Sequence, residues 1–233
     1  MPILDIIRFG LIVLAVFSAT YGLPAIKTSS SSNSLLQVFL IYSFLLGFFI
    51  NRALERRQAL RTAVNVELTR LRRLHHLTEQ MSDAGWREKM ESSLKRYQQT
   101  IAKDFSVHSQ LISVFRDLTH VIYDFKPNDR REEILYQEML ATSKEIALER
   151  PRIEQSLKGK LSFHSWLVLG SIAGSEIVLL LLNRGQTGFT PFSIAVTIIG
   201  VLITVDLLRQ TDRVAPNEFR EIEGRYLKNV PKR

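Results

Sequence analysis

The 233-residue sequence contains no cysteine. That excludes a disulfide framework, a thiolate metal site and a cysteine nucleophile. Other absences narrow the chemistry further. There is no phosphate-binding Walker loop, no dinucleotide glycine pattern, no nucleophile elbow and no His-Glu-x-x-His helix. The chain therefore reads as a non-enzyme with no cofactor. Acidic residues are the minority charge, 23 Asp+Glu against 31 Lys+Arg, for a formal net charge of +8.

A chain that is 23% charged should have a mean hydropathy well below zero, yet the value is +0.03. The apolar residues must be concentrated. They fall in four blocks, Ile6–Leu23, Leu35–Asn51, Phe163–Asn183 and Phe192–Leu208. Each is long enough, at 1.5 Å per residue, to cross a hydrocarbon core of about 30 Å. Their few ionisable residues are Arg8, Glu176 and Asp206, whereas a soluble amphipathic helix would carry a charge at every third or fourth position. The reading is four membrane-spanning helices. Tyr21-Gly22-Leu23-Pro24 is a poor small-x-small site, so the first block is read as a span rather than a cleaved signal peptide.

Orientation follows from the basic residues. Residues 52–160 hold 21 Lys+Arg and 209–233 hold 7, while the connectors 24–34 and 184–190 hold one each, Lys27 and Arg184. The positive-inside rule then places both termini and the long middle segment in the cytoplasm. The two outer connectors, one of them a serine run, carry nothing chemical. The expected organisation is 1–51 for spans one and two, 52–160 for a cytoplasmic helical domain, 161–208 for spans three and four, and 209–233 for a cytoplasmic tail.

The middle segment reads as helical. Leu60, Val64, Leu68, Leu71, Leu74, Leu77 and Met81 recur three and four apart. Nothing interrupts the chain after Phe49, so the second span is expected to continue into the cytoplasm as one long helix. Asp83 and Asp129 are the expected N-caps of later helices. An off-phase step places a break near Ser106–Ser109. Pro151 is expected to kink the last helix, near Glu149, or to begin a new piece.

The candidate chemistry is sparse. His75, His76 and Glu79 are the only metal-like cluster, and they are too few for a catalytic metal. Arg52, Arg56, Arg57 and Arg61 form a basic juxtamembrane group, read as a solvated face with lipid-headgroup contact. The aromatics near these cations lie on the apolar stripe, which argues against nucleic acid. Asp206 is expected to pair with Arg209 or Arg213. Glu176 lies inside the third span and should face protein or water rather than lipid. It is either a carboxylate bound to a neighbouring helix or protonated, or a charge lining a cavity. Gly170 and Gly174 form the small-residue pattern that lets helices approach closely. On the second span, Leu40, Phe44 and Phe48 are four apart and share a face. Repeated around an axis, they would form a narrow apolar neck that gates by dewetting.

That span resembles the pore helix of the bestrophins. Ser43-Phe44-Leu45-Leu46-Gly47-Phe48-Phe49 is similar to their Ser-Phe-x-Leu-Gly-Phe-aromatic run, and Asn51 to Asn65 is similar to its basic helical continuation in bacterial members. The tail stretch Asp206-Leu207-Leu208-Arg209-Gln210-Thr211-Asp212-Arg213 is similar to the end of their fourth span. The order of spans and cytoplasmic segment also fits that of the bacterial bestrophin-like proteins. The resemblance implies an all-α integral membrane protein that assembles as a homopentamer around one axial ion pore, with its neck at Leu40, Phe44 and Phe48. Its partners would be further copies of itself, membrane lipids and inorganic ions, and its place a bacterial inner membrane. Two departures stand out: the tail lacks a dense acidic run, so calcium gating is unsupported, and the second span lacks proline. The competing reading is a membrane-anchored helical scaffold with no conductance. An intramembrane enzyme using Glu176 lacks a second catalytic group. Selectivity stays open. The segment 51–160 carries 21 basic against 16 acidic residues, which favours anions, whereas Glu176 near an outer mouth would favour cations.

Overall fold

In the computed structural model, described for residues 2–22, 32–105, 108, 111–182, 190–213 and 216–229, the regular elements are helices. They are α1 (Pro2–Gly22), α2 (Ser32–Glu79), α3 (Ala84–Lys103), α4 (Ile112–Tyr123), α5 (Arg130–Lys158), α6 (Phe163–Leu182), α7 (Pro191–Asp212) and α8 (Pro216–Asn229). The stretches Leu36–Glu79, Arg130–Leu182 and Pro191–Asn229 each contain a helix long and apolar enough to cross a membrane, and Gly10–Gly22 is a shorter apolar helix. The outer connectors at 24–31 and 184–189 lie outside the described residues.

Two compact units share α2: Met1–Leu54 with Leu161–Arg213, and Glu55–Lys160 with Val214–Arg233. The expectation of one long helix through Arg52 is met, because residues 52–79 are rich in the helix formers Leu, Arg, Glu and Ala and contain no Gly or Pro.

In the first unit α7 packs on α1 and α6. Tyr42, Leu46, Phe49 and Ala53 of α2 are buried with Leu169, Ala173 and Val201. Leu180, Ile194 and Ile198 form a second cluster. Thr190 caps α7 by accepting the Ser193 N–H at 3.2 Å, with Pro191 at the first helical position, where no N–H is needed. Asp212, buried at the other end of α7, accepts the Leu161 N–H at 3.0 Å just ahead of α6. Asp206 accepts the side-chain amide of Gln210 at 2.8 Å. A Cβ on Gly170 or Gly174 would meet nothing within 4 Å. Both face outward, so the close approach they permit is not used inside one chain.

The second unit has its own core, centred on Leu60, Leu68, Leu71, Met90, Ile101 and Ile146. Asp83 and Asp129 cap as their positions suggest, accepting from Trp86 N at 3.0 Å and Glu132 N at 2.7 Å. Glu132 then reaches back to the Ser82 and Asn128 amides at 3.1 and 2.8 Å, tying two turns together. Of the expected break, His108 is described and lies between α3 and α4. Pro151 does not begin a new helix: α5 runs through it to Lys158. The carbonyl it cannot pair belongs to Ala147, and both residues are on the exposed side, while Arg150 and Ile153 are buried. Water can satisfy that carbonyl, so the local cost does not end the helix.

The tail holds an element with no counterpart in the sequence reading. Helix α8 packs on α3 and lies along α2, with Glu218 meeting Arg61, Arg225 meeting Asn65, and Tyr226 meeting Glu67. The partners are 157 to 160 residues apart, and this near-constant offset makes the two helices run parallel.

Candidate pore-lining face and buried charges

Leu40, Phe44 and Phe48 are exposed on α2, at 58%, 76% and 54%. Four-residue steps advance a helix by about 40° each, so the three occupy one face. The Phe48 ring leans edge-on against Phe49, with centroids 5.6 Å apart. The opposite face is held down. Tyr42 is buried, its hydroxyl 3.2 Å from the Val201 carbonyl and 2.8 Å from Thr204 Oγ1. One helix therefore has a structural stripe fixed to α6 and α7 and large apolar side chains turned away from its own chain. Gly47 is also exposed, and a Cβ there would meet nothing within 4 Å.

Arg52 continues the same four-residue series and is exposed. The other juxtamembrane cations are engaged. Arg56 Nη1 donates to the Gly159 carbonyl at 2.6 Å. Arg61 Nε donates to Glu218 at 2.9 Å, and Arg57 lies 3.9 Å from the same carboxylate. Gly159 is needed at its position, since a Cβ would stand 2.8 Å from the Gln155 carbonyl oxygen and 3.3 Å from Arg56. Further along α2, Arg70 and Arg73 pair with Glu145 and Glu138 of α5.

Glu176 is 1% exposed. It faces protein, as its place in an apolar span suggests, and neither carboxylate oxygen has a hydrogen-bond partner among the described residues. His75 and His76 stand 3.6 and 3.5 Å from Glu79, and no group of three or more potential metal ligands occurs among the described residues.

A polar centre in the second unit escaped the sequence reading. Glu67 on α2 is fully buried, with the Tyr97 hydroxyl from α3 donating to Oε1 and the Tyr226 hydroxyl from α8 donating to Oε2 at 2.8 Å. His108 Nε2 lies 3.1 Å from Oε2. Arg150 of α5 donates to the Tyr97 hydroxyl at 2.6 Å and to the His108 carbonyl at 3.2 Å, and it stacks over the Phe115 ring at 5.0 Å. Burial pushes the Glu67 carboxyl up. The hydrogen bond and charge of His108, with the two tyrosine hydroxyls, outweigh it and hold Glu67 below the ordinary carboxylate value. Burial and the Glu67 charge push both tyrosines well above theirs. The signal was present: Glu67 sits three after Val64 and four before Leu71, on the apolar stripe.

The helices, the apolar stretches and the outward-facing row on α2 define an α-helical integral membrane protein. A family profile, the Bestrophin-like domain, matches residues 10–208, and the chain belongs to that family. The fold agrees. A bacterial bestrophin homologue from Klebsiella pneumoniae, solved as a single-substitution variant, has TM-score 0.71 at 15% identity, covering 97% of this chain and 99% of that one. A second variant from the same organism gives 0.71 at 15%, covering 97% and 98%. A structure described as a membrane protein gives 0.69 at 16%, covering 97% and 98%. No curated protein sequence matches the chain. Bestrophins are a channel family, so membership supports an ion-channel kind of function.

Proposed function

We propose that the chain is one subunit of a homopentameric ion channel, with an axial pore whose neck is formed by Leu40, Phe44 and Phe48 from each copy. The observation that carries this is the two-sided α2: three large apolar side chains are exposed in register on one face while Tyr42, Leu46 and Phe49 fix the other. A lipid-facing helix needs apolar exposure but not this alignment. Rings of Leu and Phe would make a constriction that passes weakly hydrated ions and closes by dewetting. The exposed Gly47 leaves room beside the neck for a neighbouring copy. Four spans, with both termini on the basic cytoplasmic side of a bacterial inner membrane, complete the reading.

Arg52 extends the neck series by one step and would set a ring of positive charge beneath it. With Arg56, Arg57 and Arg61 tied to Gly159 and Glu218, this ring is the nearest exposed cation to the neck on α2. It supports a preference for anions. The test is purified protein in liposomes. We expect a pentamer that conducts ions, a larger current in Phe44→Ala, and a shift of reversal potential toward cations in Arg52→Glu. A monomer, or a folded pentamer silent in every variant, would overturn the proposal and leave the scaffold reading.

A further inference from the structure

We infer that Phe44, Phe48 and Arg52 form a binding site for a free amphipathic organic monoanion, which seats an apolar body on the two rings and a carboxylate on the guanidinium. All three residues lie on α2 within the first unit. The rings are more than half exposed. Arg52 follows Phe48 by one four-residue step, and side chains so spaced stand about 5–6 Å apart at Cβ. Cα–Cβ bonds tilt toward the helix N-terminus, so Arg52 sets out toward the Phe48 turn. From Phe44 to Arg52 the row covers about 12 Å along the helix axis.

Charge complementarity selects the occupant. The next arginines of α2 are engaged: Arg56 with the Gly159 carbonyl, Arg57 and Arg61 with Glu218, Arg70 with Glu145 and Arg73 with Glu138. Arg52 is exposed and forms no hydrogen bond or ion pair among the described residues, and Glu55, three positions on, has a partner of its own. A guanidinium at the end of an apolar span thus lacks a counter-ion, and the exposed surface beside it is aromatic. An inorganic anion would answer the charge and leave the rings bare. An uncharged hydrocarbon would do the reverse. A carboxylate on a medium-length alkyl chain answers both, because the carboxylate fits the guanidinium fork and the chain covers the rings. The inference rests on the proposed pore, where the rings face the ion path instead of lipid. There, one such anion plugs the neck.

The test reads binding and current separately on the full chain. Radiolabelled decanoate is equilibrated with purified protein in nanodiscs of zwitterionic lipid, and empty nanodiscs are subtracted. We expect saturable binding of one decanoate per pentamer, octanoate about fifteenfold weaker for its two fewer methylenes, and no competition by decanol. Arg52→Gln should weaken decanoate binding about tenfold or more, and Arg52→Lys by less. In planar bilayers, decanoate should reduce the wild-type current at concentrations that spare Arg52→Gln. A wild type that conducts but binds no decanoate overturns this inference and leaves the channel standing. A silent wild type with the expected binding profile overturns the channel and leaves the site standing, and one that is silent and binds nothing overturns both. Binding that Arg52→Gln leaves unchanged overturns the site, as does native mass spectrometry that finds phosphatidylglycerol held through Arg52 in place of decanoate.

Discussion

Replacing Tyr226 by Phe removes one hydroxyl and keeps the ring that packs near Phe105, with centroids 6.1 Å apart. The lost contact is a fully buried donor on a charged acceptor, Glu67 Oε2 at 2.8 Å, and bonds of that kind contribute about 1.5–3 kcal/mol. The remaining polar ties of α8 are weaker. The Arg61–Glu218 pair has its arginine largely exposed, where such pairs contribute about 0.2–1 kcal/mol. Buried Ile222 and the Tyr226 ring supply the rest. Tyr226→Phe should therefore leave the fold intact and raise local opening of α8 by roughly tenfold to a hundredfold, since each 1.4 kcal/mol is a factor of ten. Amide hydrogen exchange over residues 216–229 of the detergent-purified protein reads this directly. Combining it with Glu67→Gln isolates the coupling, and Glu67→Gln should add far less when Tyr226→Phe is already present than it does alone. Unchanged exchange in α8, or full additivity of the two substitutions, would refute the claim that Glu67 fastens the tail helix to α2.

The same centre sets a pH dependence with two limbs. Glu67 is held below its ordinary value of 4.5, so its stabilisation is complete above that value and is lost as pH falls below it toward the lower folded value. Tyr97 and Tyr226 are raised above 10.0, so their stabilisation holds below that value and is lost as pH rises beyond it. Denaturation midpoints should decline at both ends, and Tyr226→Phe should flatten the alkaline limb. Pro151→Ala should raise stability by up to about 3 kcal/mol in thermal melts, because the proline occupies an exposed helix interior and Ala147 regains its hydrogen bond. Gly159→Ala should do the reverse and lower Tm, because its Cβ would press on the Gln155 carbonyl at 2.8 Å. Tyr42→Phe should lose about 1 kcal/mol and broaden single-channel conductance levels, since that hydroxyl fixes the back of the proposed neck helix to α7.

How much of this was legible depends on the range of the interaction. The apolar spans, the continuity of α2 and the caps at Asp83 and Asp129 are local, set by composition or by a residue three positions away, and the sequence displays them. The alignment of Leu40, Phe44 and Phe48 is also local, and the structure shows the three exposed together. The Glu67 centre is not local. Its partners lie 30, 41 and 159 residues away, and no periodicity links them. Only the misfit of a Glu on an apolar stripe hinted at it. Helix α8 was hidden for the same reason: its short amphipathic pattern means little until α2 is available beside it. That α5 continues past Pro151 was not legible, because propensity alone does not tell which side of α5 faces water.

Charge is where the two units differ most, and the difference bears on how a pore would select ions. In the second unit several basic side chains face carboxylates: Arg61 with Glu218, Arg70 with Glu145 and Arg73 with Glu138. Paired charges cancel at distances beyond about 8–10 Å in physiological salt, so they add little to a long-range field. The net charge of +8 does not say where its unpaired members sit. In the proposed pore, what would act on a passing ion is the exposed charge near the neck, where the surrounding dielectric is low and the path is narrow. On α2 that charge is Arg52, one helical step from Phe48. In the proposed pore, selectivity would then rest on this exposed side chain repeated around the axis rather than on net charge.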